Sequence, residues 1–421
     1  MLLEKTKRPA DTEKASSSRT QPELRPRGLY VHIPFCQTKC PYCDFNTYAR
    51  IEDLIPRYVD ALQTEISLWG ALLHHPPLET VFFGGGTPSY LPTNRIVAIL
   101  EAIRGSFGVS VDAEISLEAN PGDLTPAKLS ALRRAGVNRL SIGVQSLDDK
   151  LLETLGRRHS AADARRSYHA AIDAGFDNVS IDLMYGLPYQ TLQGWRDTLD
   201  GALSLGPPHV SMYCLTLEPG TPLAQWVQLG KVPEPDPDLA ADMYELAEEL
   251  MGQGGYRHYE ISNWARPGFP SRHNLIYWRN QAFLGVGPGA HSYLGGFRFA
   301  NLKSPREYIE RLDSRLPSPK ASSSEREIIA SVPVVDTVEA IGPRLEMAET
   351  MMMGLRLDTG IISEDFARRF GRSPAEAYPD DVADLAALGL LETSDGALKL
   401  TPRGRMLGNE VFSRFLAAEP V

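Results

Sequence analysis

The chain has 421 residues, 43% of them hydrophobic, so it can bury the core of one large domain and that of a smaller one. Its formal net charge of -10 argues against a general nucleic-acid-binding protein, because binding to phosphates needs a surplus of Lys and Arg. The amino terminus has no apolar core of a signal peptide, and no later run reaches the roughly 18 apolar residues of a membrane span, so we expect a cytoplasmic protein without a transmembrane segment.

Residues 1–26 are polar, rich in Ser and punctuated by Pro, so we expect them to form a disordered leader. From Gly28 onwards, short apolar runs alternate with segments of helical periodicity, which is the pattern of parallel strands joined by helices. Six such units fit either a doubly wound sheet or an incomplete β/α barrel. The predicted strands are 28–33, 80–84, 113–119, 139–146, 178–186 and 209–217.

Two connecting segments carry clear helix signals. Between 58 and 73, large apolar residues recur at spacings of three and four, which places them on one helical face. In "TPAKLSALRRAG", Thr125 is expected to cap a helix that has Pro126 in its first turn and ends at Gly136.

After about residue 305 the alternation of strands and helices stops. Helical patterns around 345–370 and 380–389 lead to "LGLLETSDGALKLTPRG", where two apolar runs flank a Ser-Asp-Gly turn and predict a β-hairpin. We therefore expect a main domain at 27–305 and a small α+β domain, similar to a winged helix, at 306–421.

Three of the four cysteines, Cys36, Cys40 and Cys43, follow the first predicted strand with CxxxCxxC spacing. Free or zinc-binding thiols are the simpler interpretation, but structural zinc usually takes four ligands, and no second Cys/His pair at knuckle spacing stands out. Three thiolates suit a [4Fe-4S] cluster, which would leave one iron open as a reaction site. The fourth cysteine, Cys214, stands alone in the sixth predicted strand and is expected to be a small buried residue.

A glycine-rich segment, "FFGGGTPSYL", ends the second predicted strand. Glycines allow a backbone to approach a ligand closely and to offer it N–H groups. A tight turn from strand to helix explains three glycines equally well, so this segment alone does not indicate a site.

Polar residues stand late in three successive apolar strands, at Glu118, Gln145 and Asp182. A buried acid or amide costs several kcal/mol unless it is paired or used, and any one of them could be a paired core residue. The carboxyl ends of parallel strands, however, meet at one edge of the sheet, where such folds place their sites. We therefore expect the three residues to form a functional site with the cysteine and glycine loops.

The CxxxCxxC loop after the first strand resembles that of the radical S-adenosylmethionine (SAM) superfamily. The resemblance implies that the three cysteines hold a [4Fe-4S] cluster, and that SAM binds its open iron and is cleaved there to a 5′-deoxyadenosyl radical. It also places Tyr42 beside the adenine of SAM. The glycine segment is similar to the one that contacts the amino group of SAM, a role that falls to Gly85, Gly86 and Thr87.

The similarity is closest to the group that contains the oxygen-independent coproporphyrinogen III oxidases and the HemW haem chaperones. It rests on "LYVHIPFC", "GGGTPS", "SLEANP", "SIGVQS", "LGRRHS" and "IDLMYGLP", and it runs from about Gly28 into the C-terminal domain. It implies an α/β fold with an incomplete (β/α)6 radical SAM barrel. For Arg157, a solvated charge at a helix end is the alternative to a SAM contact. The positions that match SAM contacts in this group are Tyr30, Gly85, Glu118, Gln145, Arg157 and Asp182.

A later segment, "HNLIYW", resembles the HNxxYW segment typical of the HemW chaperones. A His beside aromatic rings can serve as an axial ligand and a stacking surface for haem. This would assign haem binding to His273, Asn274, Tyr277 and Trp278. A His273 whose ring nitrogens are satisfied, packed in the core with Tyr277 and Trp278, is an equally weighted alternative.

Phe45 distinguishes the two functions known in this group. The oxidases resemble CxxxCxxCxC, whereas this chain has Phe45 at the last position and little room for a structured N-terminal extension. These features favour a haem chaperone that binds a cluster and SAM and transfers haem to an acceptor protein. The alternative is the oxidase, which decarboxylates coproporphyrinogen III, so enzymatic activity is left open. The implied partners are haem and a haem-accepting protein, with peripheral contact with membrane haem proteins as a further option and no nucleic acid.

Overall fold

The computed structural model describes residues 24–313 and 324–417. Most of the predicted leader, residues 1–23, lies outside the described residues. Where the description begins, Leu24 packs against the apolar core of the large sheet.

The chain forms an α/β domain followed by a smaller α+β unit. The strands in chain order are β1 (Gly28–Ile33), β2 (Phe35–Cys36), β3 (Tyr48–Ala49), β4 (Pro77–Gly85), β5 (Gly108–Ala119), β6 (Arg139–Gln145), β7 (Asn178–Tyr185), β8 (His209–Cys214), β9 (Arg257–Glu260), β10 (Asn263–Ala265), β11 (Phe283–Val286), β12 (His291–Leu294), β13 (Phe297–Asn301), β14 (Val335–Ala340), β15 (Ile361–Ile362), β16 (Leu391–Ser394) and β17 (Ala397–Leu400).

The helices account for most of the remaining described chain. They are α1 (Ile55–Leu72), α2 (Thr93–Ser106), α3 (Pro126–Arg134), α4 (Asp149–Thr154), α5 (Ala161–Asp173), α6 (Leu192–Leu205), α7 (Pro222–Gln228), α8 (Pro237–Gln253), α9 (Arg272–Trp278), α10 (Pro305–Asp313), α11 (Glu325–Ala330), α12 (Pro343–Gly354), α13 (Ser363–Phe370), α14 (Pro374–Ala377), α15 (Pro379–Ala387), α16 (Pro402–Met406) and α17 (Gly408–Ala417). Short 3-10 helices occur at Glu52–Leu54, Pro88–Tyr90 and Pro121–Asp123.

The large sheet has the order β14-β13-β12-β11-β1-β4-β5-β6-β7-β8-β10-β9. The six predicted strands are its central run from β1 to β8, they lie side by side in chain order, and each pairs with its neighbour in parallel. The predicted α/β fold is therefore confirmed. β11 adds a further parallel strand beside β1, and antiparallel strands extend both edges. In the described chain β14 and β9 do not pair, so the sheet stays open.

The helices cover the sheet as the apolar periodicity predicts. In α1, the large side chains on one face, Tyr58, Leu62, Ile66 and Trp69, are fully buried in the main core. The side chain of Thr125 accepts a hydrogen bond from the backbone N–H at the third residue of α3, which confirms the predicted N-cap.

A second apolar core lies in the C-terminal unit, where helices pack on a three-stranded sheet in the order β15-β17-β16. The predicted hairpin is β16 and β17, joined by Asp395 and Gly396, which both have positive φ as a tight hairpin turn requires. The predicted helical stretch at 345–370 is instead two helices, α12 and α13, because a turn at Gly360 with φ 61° and strand β15 separate them. No helix of the described residues is long and apolar enough to cross a membrane.

Candidate functional site

A cavity of about 560 Å³ lies at the carboxyl ends of β4 to β8, beside the loop that follows β1. We call it the strand-end cavity. It collects most of the residues that the sequence assigned to cluster, SAM or haem. Those that line it are Cys36, Cys40, Tyr42, Cys43, Gly85, Gly86, Thr87, Glu118, Gln145, Arg157, Asp182, Asn274 and Tyr277, whereas Tyr30, His273 and Trp278 do not.

The cysteine loop connects β2 to β3, and these two short strands pair in parallel. The backbone N–H of Cys43 donates to the carbonyl of Cys40 over 3.1 Å, and Lys39 Nζ donates to the carbonyl of Phe45 over 3.1 Å. All three loop cysteines are free thiols, and Cys36 accepts a hydrogen bond of 3.3 Å from Thr87 Oγ1. The loop is thus held by its own backbone while its sulfurs face the cavity.

The three thiols influence one another electrostatically. Burial raises the pKa of Cys36 and Cys43, and the neighbouring cysteines raise both pKa values further. Within residues 24–313 and 324–417, no three His, Cys, Asp or Glu side chains are grouped so as to hold a single metal ion. A [4Fe-4S] cluster differs, because each cysteine binds a different iron and the sulfurs need not converge on one point. The donor set therefore fits a cluster better than a zinc ion.

The glycine segment packs directly against the cysteine-bearing strand. The backbone N–H of Gly86 donates to the carbonyl of Ile33 over 2.7 Å, and that of Thr87 donates to the carbonyl of Phe35 over 2.8 Å. A Cβ on Gly86 would lie 2.7 Å from the Phe35 carbonyl oxygen, closer than real Cβ contacts allow. Glycine is therefore needed at this position so that the glycine segment can approach β2 closely. A tight turn from strand to helix, the alternative reading of this segment, would not by itself require that contact.

Two carboxyl groups, those of Glu118 and Asp182, line the same cavity. Glu118 Oε2 accepts a hydrogen bond of 3.2 Å from the backbone N–H of Gly85, and burial followed by the charge of Asp182 raises the pKa of Glu118 to about 8. Burial also raises the pKa of Asp182, although the hydroxyls of Ser141 and Ser180 donate to it over 2.9 and 3.1 Å. A cationic ligand in the cavity would favour the ionised form of both acids, because a nearby positive charge offsets the cost of burying a carboxylate.

Gln145 is held in a left-handed conformation at the end of β6. Its φ is 68°, and the register of β6 against β7 shifts between Gly143 and Gln145. A non-glycine residue at such a φ costs about 1 to 3 kcal/mol, and bulges of this kind re-aim side chains beside functional sites. The strain is consistent with a side chain that is placed for a ligand.

Arg157 faces the strand-end cavity from the loop between α4 and α5, so it is not a solvated charge at a helix end. Its Nη2 donates to the carbonyl of Gly143 over 2.7 Å, and Nη1 lies 3.6 Å from Cys40 Sγ and 3.5 Å from the Tyr42 hydroxyl. Its Nε is buried and has no hydrogen-bond partner among the described residues. A guanidinium that lines a cavity is suited to an anionic group such as a carboxylate.

Comparisons with known proteins show the family to which the chain belongs. Residues 30–202 match the family model described as "Radical SAM superfamily", and residues 343–407 match "HemN C-terminal domain". A protein of Bacillus subtilis (strain 168), "Heme chaperone HemW", is 39% identical over 391 residues, which cover 93% of this chain and 99% of the relative. The chain belongs to the HemW family of radical SAM proteins.

Other matches also cover more than nine-tenths of both chains. The "Heme chaperone HemW" of Mycobacterium tuberculosis (strain ATCC 25618 / H37Rv) is 38% identical over 93% of this chain and 95% of its own length. The solved structure of coproporphyrinogen III oxidase (HemN) from Escherichia coli superposes with a TM-score of 0.79 over 94% of this chain and 91% of that chain. At 24% identity, this likeness shows only that the two chains share a fold.

The strand-end cavity also contains residues that the sequence did not predict. Every second residue of β6 and of β8 faces it, including polar ones in strands that otherwise read as apolar. This alternation could have identified them from the sequence, because side chains two residues apart lie on the same face of a strand. The missed residues are Arg139, Ser141 and Gly143 on β6, which lie on the same face as the predicted Gln145, and His209, Ser211 and Tyr213 on β8.

The His of the HNLIYW segment is fully enclosed. His273 is 1% exposed, with Nδ1 2.7 Å from Thr80 Oγ1 and Nε2 2.8 Å from the Tyr277 hydroxyl. It stacks on Phe82, and burial lowers its pKa to about 3. Both ring nitrogens are occupied, so the contacts favour the packed alternative over an axial ligand.

Cys214 is exposed, so the expectation of a buried sixth-strand cysteine is wrong. It is the last residue of β8, and it lines the strand-end cavity rather than the core. Its side chain is exposed because the residue lies at the end of the strand, beyond the buried part of β8. Phe45, which separated the two functions of the family in the sequence, is 64% exposed at the rim of the same cavity.

Proposed function

We propose that this protein is a haem chaperone that holds a [4Fe-4S] cluster and SAM in the strand-end cavity and transfers haem to an acceptor protein. The observation that carries the proposal is the convergence of the CxxxCxxC loop with the polar ends of β4 to β7 on one cavity. It is supported by identity of 39% to a protein named as a heme chaperone over nearly the whole chain.

In this proposal the three loop cysteines are the cluster ligands, and the residues around them bind SAM. The segment of Gly85, Gly86 and Thr87 brings its backbone beside the cluster, Tyr42 flanks the adenine, and the guanidinium of Arg157 faces a carboxylate. The bound cluster would supply the electron for SAM cleavage.

The polar strand ends complete the proposed SAM site. Glu118 and Asp182 provide the negative side of the cavity for the cationic groups of SAM, and the strained Gln145 provides an amide. Tyr30 does not line the cavity, and its hydroxyl lies 3.0 Å from His32 Nδ1. We therefore assign it a positioning role rather than a direct contact with SAM.

For the HNLIYW segment, the proposal assigns the wall of the cavity to Asn274 and Tyr277. His273 holds Tyr277 through the hydrogen bond to its hydroxyl and is not proposed as the iron ligand. A cytoplasmic location is part of the proposal, because the three cysteines must stay reduced until the cluster is assembled.

The deciding experiment loads the protein with iron and sulfide under anaerobic conditions and divides one sample between two assays. Haem titration is expected to saturate near one haem per chain. The other half, supplied with coproporphyrinogen III, SAM and a reductant, is expected to make no protoporphyrinogen IX. Turnover of coproporphyrinogen at a useful rate would replace the chaperone by the oxidase.

The cluster assignment has a matched control in the same cavity. Cys40→Ser should lose the iron, the sulfide and the visible absorption of the cluster, because sulfur is the ligand that iron requires here. Cys214→Ser, which changes the cavity-lining thiol outside the CxxxCxxC loop, should leave all three unchanged. Equal iron contents in the two variants would contradict the assignment.

A further inference from the structure

A second cavity, of about 670 Å³, lies between the main domain and the C-terminal unit. We call it the interdomain cavity. Helix α8 forms one side, and α16 with the start of α17 forms the other. Tyr213 and Cys214 line both this cavity and the strand-end cavity, so the two cavities adjoin at the end of β8.

One cation in this cavity has no carboxylate partner. Arg356 follows α12, and its guanidinium lies over two rings, 5.3 Å from the centre of Trp278 and 4.6 Å from that of Phe412. In the described parts of the chain its side chain makes no hydrogen bond or ion pair. Burial lowers the pKa of Arg356, which is the direction expected for a guanidinium that lacks a counter-ion.

The other charges of the cavity do not neutralise Arg356. Arg405 is already engaged, since it donates to Asp358 and lies 3.9 Å from Glu248. The buried Glu260 acts on Arg356 only at a distance, because its own oxygens accept from Asn263 and from the backbone of residue 262. Glu410 also lines the cavity, on the exposed first turn of α17. An anionic ligand would therefore find one desolvated, unpaired cation.

The walls of the cavity are aromatic and aliphatic. Tyr185 and Tyr244 come from the main domain, and Met406, Leu407 and Phe412 from the C-terminal unit. The Tyr244 hydroxyl is buried and has no hydrogen-bond partner within the described residues. Ligand sites typically combine an apolar lining with a few polar groups that fix orientation, in volumes of about 300 to 1,000 Å³.

We propose that the interdomain cavity is the haem site, with a propionate of the haem bound to Arg356 and the porphyrin ring against the apolar walls. The inference rests on the proposed chaperone function and gives its cargo a place. A planar apolar ring with carboxylates at one edge matches an apolar cavity with one unpaired guanidinium. Trp278 of the HNLIYW segment belongs to this site through its ring beneath Arg356.

The test compares haem with its dimethyl ester in two proteins. Arg356→Gln should bind haem about 10 to 100 times more weakly than the wild type, since a hydrogen-bonded charge contributes about 1.5 to 3 kcal/mol. The wild type should bind the dimethyl ester with a similarly reduced affinity. In Arg356→Gln, the affinities for haem and for its ester should be nearly the same. The matched control is Arg266→Gln, which removes an arginine stacked on Tyr256 but outside both cavities.

A second variant tests the cavity without removing a charge. Ala241→Trp fills the space from the half-buried face of α8 and should abolish haem binding while cluster content stays normal. A wild type that fails to bind haem would overturn the chaperone function. A wild type that binds haem, with unchanged affinity in both Arg356→Gln and Ala241→Trp, would overturn this site alone.

Discussion

At the scale of single residues, the strand-end cavity is defined by groups held in unfavourable states. Gln145 has a left-handed backbone, Arg157 has a buried donor without a partner, and Glu118 is an acid with a raised pKa. Each state costs free energy in the ligand-free protein. All three groups lie around one cysteine loop, as expected for the ligand-free form of a site that binds a charged cofactor.

The pH dependence of stability tests the state of Glu118. Its pKa of about 8 lies above the ordinary value of 4.5, so its contribution to stability is fully present below pH 4.5 and is lost as the pH rises towards 8. In the absence of SAM, Glu118→Gln should therefore gain stability relative to the wild type between pH 5 and 8, by on the order of a few kcal/mol. Urea unfolding midpoints across this range measure the difference.

The control for this prediction is Glu79→Gln, which changes a carboxylate paired with Arg27 at the surface. Its stability difference from the wild type should not vary from pH 5 to 8. A Glu118→Gln difference that is equally flat would show that the carboxyl group ionises normally.

At the scale of elements, α9 shows how an apparent ligand can be a structural residue. The backbone N–H groups of Arg272 and His273 donate to the buried carboxylate of Glu114 on β5, over 3.0 Å each. The His273 ring then bridges Thr80 on β4 to Tyr277. The helix is thereby fixed to two strands, and this places its Asn274 and Tyr277 on the cavity wall.

We therefore expect His273→Ala to destabilise the protein without changing the haem spectrum. The variant leaves two buried hydroxyls unpaired and should lower the free energy of unfolding by about 2 to 4 kcal/mol. Calorimetry measures the loss, and absorption of the haem-loaded protein tests the iron ligand. His169→Ala, at an exposed position of α5, is the control and should change neither. A shifted haem band in His273→Ala at wild-type stability would make His273 the ligand.

The central strands could be predicted from sequence because β-branched and apolar runs mark parallel strands buried on both faces. The outer strands β9 to β14 could not, since they are short and include glycines such as Gly285, and their place depends on sheet edges that already exist. The convergence of Glu118, Gln145 and Asp182 followed from parallel topology. The enclosure of His273 did not, because its partners Thr80 and Phe82 are distant in sequence.

At the scale of the whole molecule, α12 joins the two cores. Met347 and Met351 are buried in the second core, while Glu349 points to the large sheet. Its carboxylate accepts two hydrogen bonds from Arg298 on β13, over 2.5 and 2.9 Å. The interdomain cavity depends on this arrangement, because its walls come from both sides of the junction.

Removing this pair should loosen the C-terminal unit selectively. Glu349→Ala leaves Arg298 half-buried and unpaired, and we expect a loss of about 2 to 4 kcal/mol, since Glu349 is buried and its pair is bidentate. Hydrogen exchange should increase in α12, α13 and α15 to α17 before it increases in β4 to β7, because the main core keeps its own contacts. Glu364→Ala removes an exposed pair with Arg368 and should cost less than about 0.5 kcal/mol. Exchange that increases equally in the two cores would mean that they unfold as one unit and that α12 is not the junction between them.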